Sequence, residues 1–294
     1  MLKEFFMEND IDFLERESLK NHTTFKVGGD ADYIVMPKTV EQVMGLLKLF
    51  KSENVPYYVL GRGSNVIFKD CGFKGVIIKT SGLQSVWVEG TTVTAQAGVT
   101  LNTLCKRLQE NQLSGLEFCY GIPGNVGGAT YMNAGAYGGE ICDAIIEIEY
   151  IDENVTRQTI GIKQGEFSYR HSIFQEKNWL ITACKFSLKK ADGDKILQFM
   201  EEIMDKRRDK QPLDKPSAGS SFKRPQGHFA AALIDECGLK GKTCGGAQIS
   251  EKHAGFIVNI GKATCCDIQE LATQVENIVL EKTGVKLERE MIIV

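Results

Sequence analysis

A mixed α/β or α+β fold is predicted by three features of the sequence. Helical and strand patterns alternate along the 294 residues. A short strand pattern leads into the first of two glycine-rich segments, 61–65 and 121–139. A stretch with two prolines and a glycine, 211–219, separates a long first part from a smaller α+β remainder.

The helices are marked by their caps. Thr39 and Gln42 have capping-box spacing, and Val40, Val43, Met44, Leu47 and Phe50 follow on one helical face. Thr100 is placed to cap a helix carrying Leu101, Leu104, Cys105 and Leu108. A further helix from about Asp192 carries Ile196, Phe199, Met200 and Ile203 and runs into Lys206, Arg207 and Arg208. After the linker come a short helix at 229–237 and a long one at 264–282, with Gly284 as its stop signal.

Strands are predicted at 57–60, 66–68 and 76–79. Hairpins are predicted at 86–97, turning at Gly90, and at 145–160, turning at Asp152, Glu153 and Asn154. The last four residues, 291–294, read as a strand. On this basis the chain divides at the linker into a cofactor unit to about residue 205 and a smaller domain after it.

Bulk properties exclude several classes of function. Hydrophobic residues make up 43% and charged residues 25%, and the formal net charge is −3. Such a balance gives no general attraction to nucleic acid or to an anionic membrane. No apolar run reaches the length of a membrane span, and residues 1–12 lack a signal-peptide core. Nine cysteines are scattered without a C-x-x-C pair. They are read as reduced thiols of a cytoplasmic protein, with Cys265 and Cys266 packing at a helix start. No metal-ligand set is expected.

The glycine segments carry the first chemical signal. Gly61, Arg62, Gly63, Ser64 and Asn65 follow a strand, where glycines let backbone N–H groups approach a diphosphate. Val66 stands where the third glycine of a Rossmann fingerprint would fall, so that motif is excluded. By itself this loop is equally compatible with a tight turn. The second segment includes Gly121, Pro123, Gly124, Gly127, Gly128 and Ala129. Seven of its nineteen residues are glycine and none is charged. That composition fits a buried backbone against a flat or phosphorylated ligand, with Pro123 in the first turn of a helix facing phosphate. Close helix–strand packing is the competing explanation.

Taken together with segments 21–29, 169–174, 211–213, 218–225 and 287–294, the two loops resemble the UDP-N-acetylenolpyruvoylglucosamine reductase family. The matches keep their order from near residue 20 to the C-terminus. The resemblance implies an α+β protein with the two-subdomain FAD-binding fold of the vanillyl-alcohol oxidase type. Its expected segments are 1–75 (first FAD subdomain), 76–205 (second) and 206–294 (substrate domain). It implies non-covalent FAD, since neither glycine loop offers a histidine or cysteine for attachment, and NADPH as hydride donor. The implied reaction converts UDP-N-acetyl-3-O-(1-carboxyvinyl)-glucosamine to UDP-N-acetylmuramate.

By the same resemblance Ser220 is the proton donor, and Arg170 and Glu290 are its catalytic partners. Tyr137, Lys210, Lys223 and Arg224 are candidate substrate contacts, with Arg207 and Arg208 nearby in sequence. Only residues 189–191 separate the strand ending near Leu188 from the next helix. The chain therefore resembles the shorter branch, without a tyrosine-bearing insertion. Arg289 stands where the family usually has proline. Two other readings are an oxidase of the same flavin fold and a non-catalytic nucleotide-binding protein.

Overall fold

Local capping signals set the starts of three helices and the end of one in the computed structural model, which describes residues 1–294, the side chains of 164 and 165 excepted. Helix α1 (Leu2–Glu8) buries Phe6. Helix α2 (Val40–Glu53) begins with the Thr39–Gln42 capping box and buries Val43, Leu46, Leu47 and Phe50. In α3 (Leu101–Glu110) the Thr100 hydroxyl accepts the Thr103 N–H at 3.1 Å. Helix α4 (Val126–Tyr131) lies inside the second glycine segment, and α5 (Gly193–Lys210) leads to the linker. Helix α6 is Ala230–Glu236. Helix α7 (Cys265–Thr283) starts with a Thr264–Asp267 capping box and stops at Gly284, whose φ is +71°.

The chain clusters into two units. One comprises residues 1–15, 33–62 and 75–205; the other comprises 16–32, 63–74 and 206–294. Residues 16–32 and 63–74, grouped by sequence order with the first part, thus join the C-terminal segment. The first glycine loop is itself divided, with Gly61 and Arg62 in the first unit and Gly63, Ser64 and Asn65 in the second.

The first unit contains a five-stranded antiparallel sheet ordered 157–161, 145–151, 180–187, 92–96 and 86–89. Both predicted hairpins are in it, and Gly90 turns the outer one with φ +64°. Helices α3 and α4 bury Leu101, Leu104, Val126 and Ala129 in one core with Val93, Ile148 and Phe186. A second core gathers Phe6, Val43, Leu46, Phe50, Val76 and Ile78. Each large apolar side chain so buried contributes about 1.5–3 kcal/mol. A four-stranded sheet follows the order 12–18, 30–36, 73–79 and 57–60.

The second unit has a three-stranded antiparallel sheet of Thr243–Cys244, Ala247–Ile249 and Ile257–Asn259. Its core joins Phe25, Val27 and Ile67 to Phe222, Ile234, Ile257, Leu271 and Val275. The C-terminal strand Ile292–Ile293 pairs in parallel with Val66–Ile67, so the end of the chain is stitched to the strand that follows Asn65.

Candidate active site

Ser220 and Glu290 are brought together by backbone pairing in the second unit. Gly219 turns the chain with φ +75°. Ser221 is then pinned three ways. Its N–H donates to the Gly255 carbonyl at 2.8 Å, its carbonyl accepts the Glu290 N–H at 2.9 Å, and its hydroxyl accepts the Ile257 N–H at 2.9 Å. Phe222 bridges Arg289, and the Lys223 N–H donates to the Glu288 carbonyl at 2.8 Å. Segments 220–223 and 288–290 therefore pair antiparallel through an isolated bridge at Phe222 and Arg289. Ser221 is 1% exposed and committed to structure. Ser220 is half-buried, and its hydroxyl donates to the Phe222 carbonyl at 3.2 Å.

Asn65 and Arg289, both singled out in the sequence, take partners here that the sequence does not reveal. The Asn65 side-chain amide donates to the Glu290 carbonyl at 3.1 Å, and the Ile292 N–H donates to the Asn65 carbonyl at 2.9 Å. Asn65, expected on the cofactor, thus uses its amide N–H to hold the Glu290 backbone. Arg289, in place of proline, forks onto Glu276 at 2.7 and 2.9 Å and reaches Thr273 at 2.7 Å, anchoring the strand to α7. Burial opposes the Arg289 charge, but the Glu276 hydrogen bond outweighs it and raises the guanidinium pKa.

The candidate substrate cations in this unit have different surroundings. Lys223 lies 3.8 Å from a Glu288 carboxylate oxygen. The Arg224 guanidinium sits 4.6 Å from the centroid of the exposed Phe229 ring. Lys210 and Arg208 are exposed at the end of α5, whereas Arg207 is 6% exposed, with Nη1 3.3 Å from Gln211 Oε1. The basic run is therefore not one solvated face. A cavity of about 270 Å³ in this unit, lined by Asp70, Cys266, Glu270 and Arg289 among others, includes neither Ser220 nor Glu290.

Arg170 belongs to the first unit and adopts φ +56°, a strained conformation for a residue with a side chain. Its surroundings over-determine that turn. Ser168 and His171 exchange backbone hydrogen bonds at 3.1 and 3.0 Å. Gln175 Nε2 contacts the Arg170 carbonyl at 3.0 Å and the Tyr131 carbonyl at 2.9 Å, and the fully buried Ser172 hydroxyl donates to Tyr131 at 2.7 Å. Asn133, also fully buried, reaches the Ser168 carbonyl at 2.9 Å and Glu140 at 2.8 Å. Arg170 Nη2 donates to the Gly135 carbonyl at 3.2 Å, and the guanidinium lies 5.2 Å from the Tyr169 ring centroid. Tyr137 and Gly138, with φ of +52° and +88°, form the two-residue turn of the hairpin beside it and leave Tyr137 exposed.

The second glycine segment corrects one expectation. Pro123 precedes α4 by three residues rather than lying in its first turn. The Val126 and Gly127 N–H groups donate to the Val99 and Ala97 carbonyls, each at 2.9 Å. A methyl group on Gly127 would lie 2.8 Å from Ala97 Cβ. Close packing therefore explains Gly127. Gly128 differs: it is exposed, and a methyl group there would meet nothing within 4 Å. The exposed Pro123 and the half-buried Gly121 and Gly124 form the turn before α4, and Ala129 is in the core. The Gly121 N–H is held by Asn102 Oδ1 at 2.8 Å.

Asn125 links the two glycine segments within the first unit. It is 4% exposed, its Nδ2 donates to the Gly98 carbonyl, and its Oδ1 has no hydrogen-bond partner. A Cβ on Gly61 would stand 3.9 Å from that oxygen. Gly63, in the second unit, has φ +68° and approaches the His22 carbonyl so closely that a methyl group there would clash at 2.3 Å. Lys79, at the strand end paired with Leu60, has its pKa lowered by burial and then by the Arg62 charge. An orphaned buried acceptor, side-chain-free glycines and cations beside the first loop fit the residues to a large nucleotide cofactor.

Comparisons with known proteins give the fold class and the family. A family model described as an FAD binding domain matches residues 31–161. With the fold, it defines the class as flavoproteins of the vanillyl-alcohol oxidase type. A second model, the C-terminal domain of UDP-N-acetylenolpyruvoylglucosamine reductase, matches residues 211–294. The reductase of that name from Caldanaerobacter subterraneus is 43% identical over 100% of this chain and 96% of its own. The one from Clostridium botulinum is 45% identical over 95% and 91%. The solved reductase of Thermus caldophilus superposes with a TM-score of 0.82 at 34% identity, over 96% of this chain and 98% of that one. A berberine-bridge-enzyme-like protein of Physcomitrella patens, 13% identical with a TM-score of 0.52, covers 98% of this chain and 62% of its own and shares the fold alone. The chain belongs to the UDP-N-acetylenolpyruvoylglucosamine reductase family.

Proposed function

We infer that this chain is an FAD-dependent oxidoreductase that reduces UDP-N-acetyl-3-O-(1-carboxyvinyl)-glucosamine to UDP-N-acetylmuramate with NADPH, in peptidoglycan precursor synthesis. The observation that carries this reading is the pairing of segment 220–223 with 288–290, in a chain of this family.

When bound, FAD supplies the two-electron carrier between NADPH and the enolpyruvyl ether. Gly61, Arg62, Gly63 and Ser64 are assigned to it from the first loop, and Gly121, Pro123, Gly124 and Gly128 from the second. Gly127 and Ala129 act by packing α4, and Asn65 by holding Glu290.

Hydride addition at C3 of the enolpyruvyl group leaves negative charge at C2 and its carboxylate. A permanently charged, planar guanidinium stabilises such charge, and the over-determined turn at 168–171 holds Arg170 without reorganisation. The Ser220 hydroxyl gives its proton to C2. A serine is a weak acid, but C2 is then a strong base, so position counts for more than acidity. Two features support Ser220 over Ser221: its partial exposure, and the burial of the Ser221 hydroxyl against Ile257. Glu290, held by the Ser221 and Asn65 contacts to its backbone, is assigned to the carboxyl end of the substrate. Lys210, Lys223 and Arg224 are assigned to the UDP diphosphate, and Tyr137 to the substrate surface.

We place the enzyme in the cytoplasm. Its nine cysteines are all free thiols, as a reducing compartment maintains them. Among the described residues, no helix is long and apolar enough to cross a membrane.

The test is a single anaerobic titration of purified protein. A yellow flavin spectrum should bleach with NADPH and return on adding the enolpyruvyl UDP-sugar. Recovery only with oxygen and peroxide release would indicate an oxidase instead. A protein that stays colourless with added FAD would refute the flavoenzyme reading.

A further inference from the structure

We propose that Asn125 contacts the cofactor through Oδ1, accepting a hydrogen bond from a hydroxyl or N–H group of FAD outside its diphosphate. The inference rests on the FAD reading above and assigns a residue and a chemical group within it.

Asn125 occupies the N-cap position of α4 but makes no capping bond with its side chain. An asparagine there ordinarily accepts the N–H of the second or third helical residue. Here the second, Gly127, donates instead to the Ala97 carbonyl, and the third, Gly128, makes no bond to the Asn125 side chain. The amide orientation is fixed, because Nδ2 donates to the Gly98 carbonyl and a flipped amide would set oxygen against oxygen. Oδ1 is thus an acceptor without a partner on a side chain only 4% exposed. Leaving such a group unsatisfied is unfavourable, so its retention is explained by a donor that arrives with the ligand.

The identity of the donor follows from charge and hydrogen-bond chemistry. A diphosphate at neutral pH presents acceptor oxygens, which a carbonyl oxygen repels. The partner must carry O–H or N–H: a ribityl or ribose hydroxyl, the ring N–H of the isoalloxazine, or the adenine amine. The oxygen lies 3.9 Å from where a Gly61 Cβ would stand, so a group lying across Gly61 can reach it. At this point the two glycine segments recognise a donor on the cofactor rather than its phosphates.

The experiment is a fluorescence titration of deflavinated full-length protein with FAD, FMN and ADP, comparing wild type with Asn125→Ser and Asn125→Ala. Serine keeps an N-cap group but cannot place an oxygen where Oδ1 lies, so it guards against misfolding of the alanine variant. Thermal melts of the deflavinated proteins report the separate loss of the Gly98 bond. The expected result is a Kd for FAD raised about tenfold in Asn125→Ser, beyond any change in the melt. The same loss with FMN places the donor on the flavin half; the same loss with ADP places it on the adenosine half. Unchanged FAD affinity overturns the proposal, as does a loss for FAD that travels with neither half. Failure of the wild-type protein to bind FAD would instead overturn the flavoenzyme reading itself.

Discussion

The Glu290 N–H donates to the Ser221 carbonyl at 2.9 Å, so the candidate acid Ser220 and the candidate partner Glu290 stand on paired backbone segments 70 positions apart in sequence. The same pairing distinguishes two adjacent serines. Ser220→Ala should retain FAD and accept hydride from NADPH, but reoxidise with the enolpyruvyl UDP-sugar about 10²–10⁴-fold more slowly in stopped flow. Ser221→Ala should do the reverse: near-normal chemistry, but about 1–3 kcal/mol less stability, because the Ile257 N–H loses its buried acceptor. Wild-type reoxidation by Ser220→Ala would remove it from the mechanism.

Arg170 is held by its backbone as well as by its charge. Arg170→Lys keeps the cation but loses the fork, and should lower the rate of substrate reduction about 10²-fold while flavin reduction by NADPH is unchanged. Gln175→Ala removes the side-chain contacts to the Arg170 and Tyr131 carbonyls and should act in the same direction, more weakly. A defect confined to NADPH oxidation would place Arg170 elsewhere.

Gly127 and Gly128, adjacent in sequence, should respond differently. Gly127→Ala forces a methyl group to 2.8 Å from Ala97 Cβ and should cost about 1–3 kcal/mol in a denaturant melt. Gly128→Ala meets no protein atom and should leave the deflavinated protein at least as stable. Any harm it does should appear as weaker FAD binding. Equal destabilisation by both would contradict the difference in their surroundings.

His253 makes stability sensitive to mild acid. Burial, with a smaller effect from the Lys240 charge, lowers its pKa below the ordinary 6.5, and Nδ1 accepts the Gly255 N–H at 3.2 Å. The unfolded chain therefore takes up the proton first. The stabilisation is complete above about pH 6.5 and is lost as the pH falls toward the folded-state pKa. Because the Gly255 carbonyl holds the Ser221 N–H, loosening there reaches the Ser220 strand. Thermal midpoints should fall between about pH 7.5 and pH 5.5, and His253→Gln should flatten that dependence. An identical slope in the variant would exclude His253 as the source.

Flavin should come free on denaturation. Neither glycine segment contains histidine or cysteine. Acid precipitation should leave a yellow supernatant over a colourless pellet, and colour retained on the protein would contradict this.

The sequence by itself determined what depends on neighbours a few residues away. The Thr39–Gln42 box, the Thr100 cap, the Gly90 turn and the Gly284 stop are local hydrogen-bond and φ requirements, and each appears where its residues predict. The family was also legible, because its motifs are short and keep their order. Tertiary structure decided what depends on distant partners. Asn133 and Gln175 are ordinary polar residues until the fold sets them against carbonyls 35 and 44 positions away. Ser220 and Ser221 are equivalent as letters; only the strand at 257–259 buries one hydroxyl and leaves the other partly accessible. Likewise, the two glycine segments suggested a single diphosphate cradle. The fold instead spends the Val126 and Gly127 N–H groups on backbone carbonyls, turns the Asn65 amide to Glu290, and leaves Asn125 with an acceptor to satisfy. A residue's hydrogen-bonding capacity is written in its type, but its partner is set by which strands the chain brings alongside.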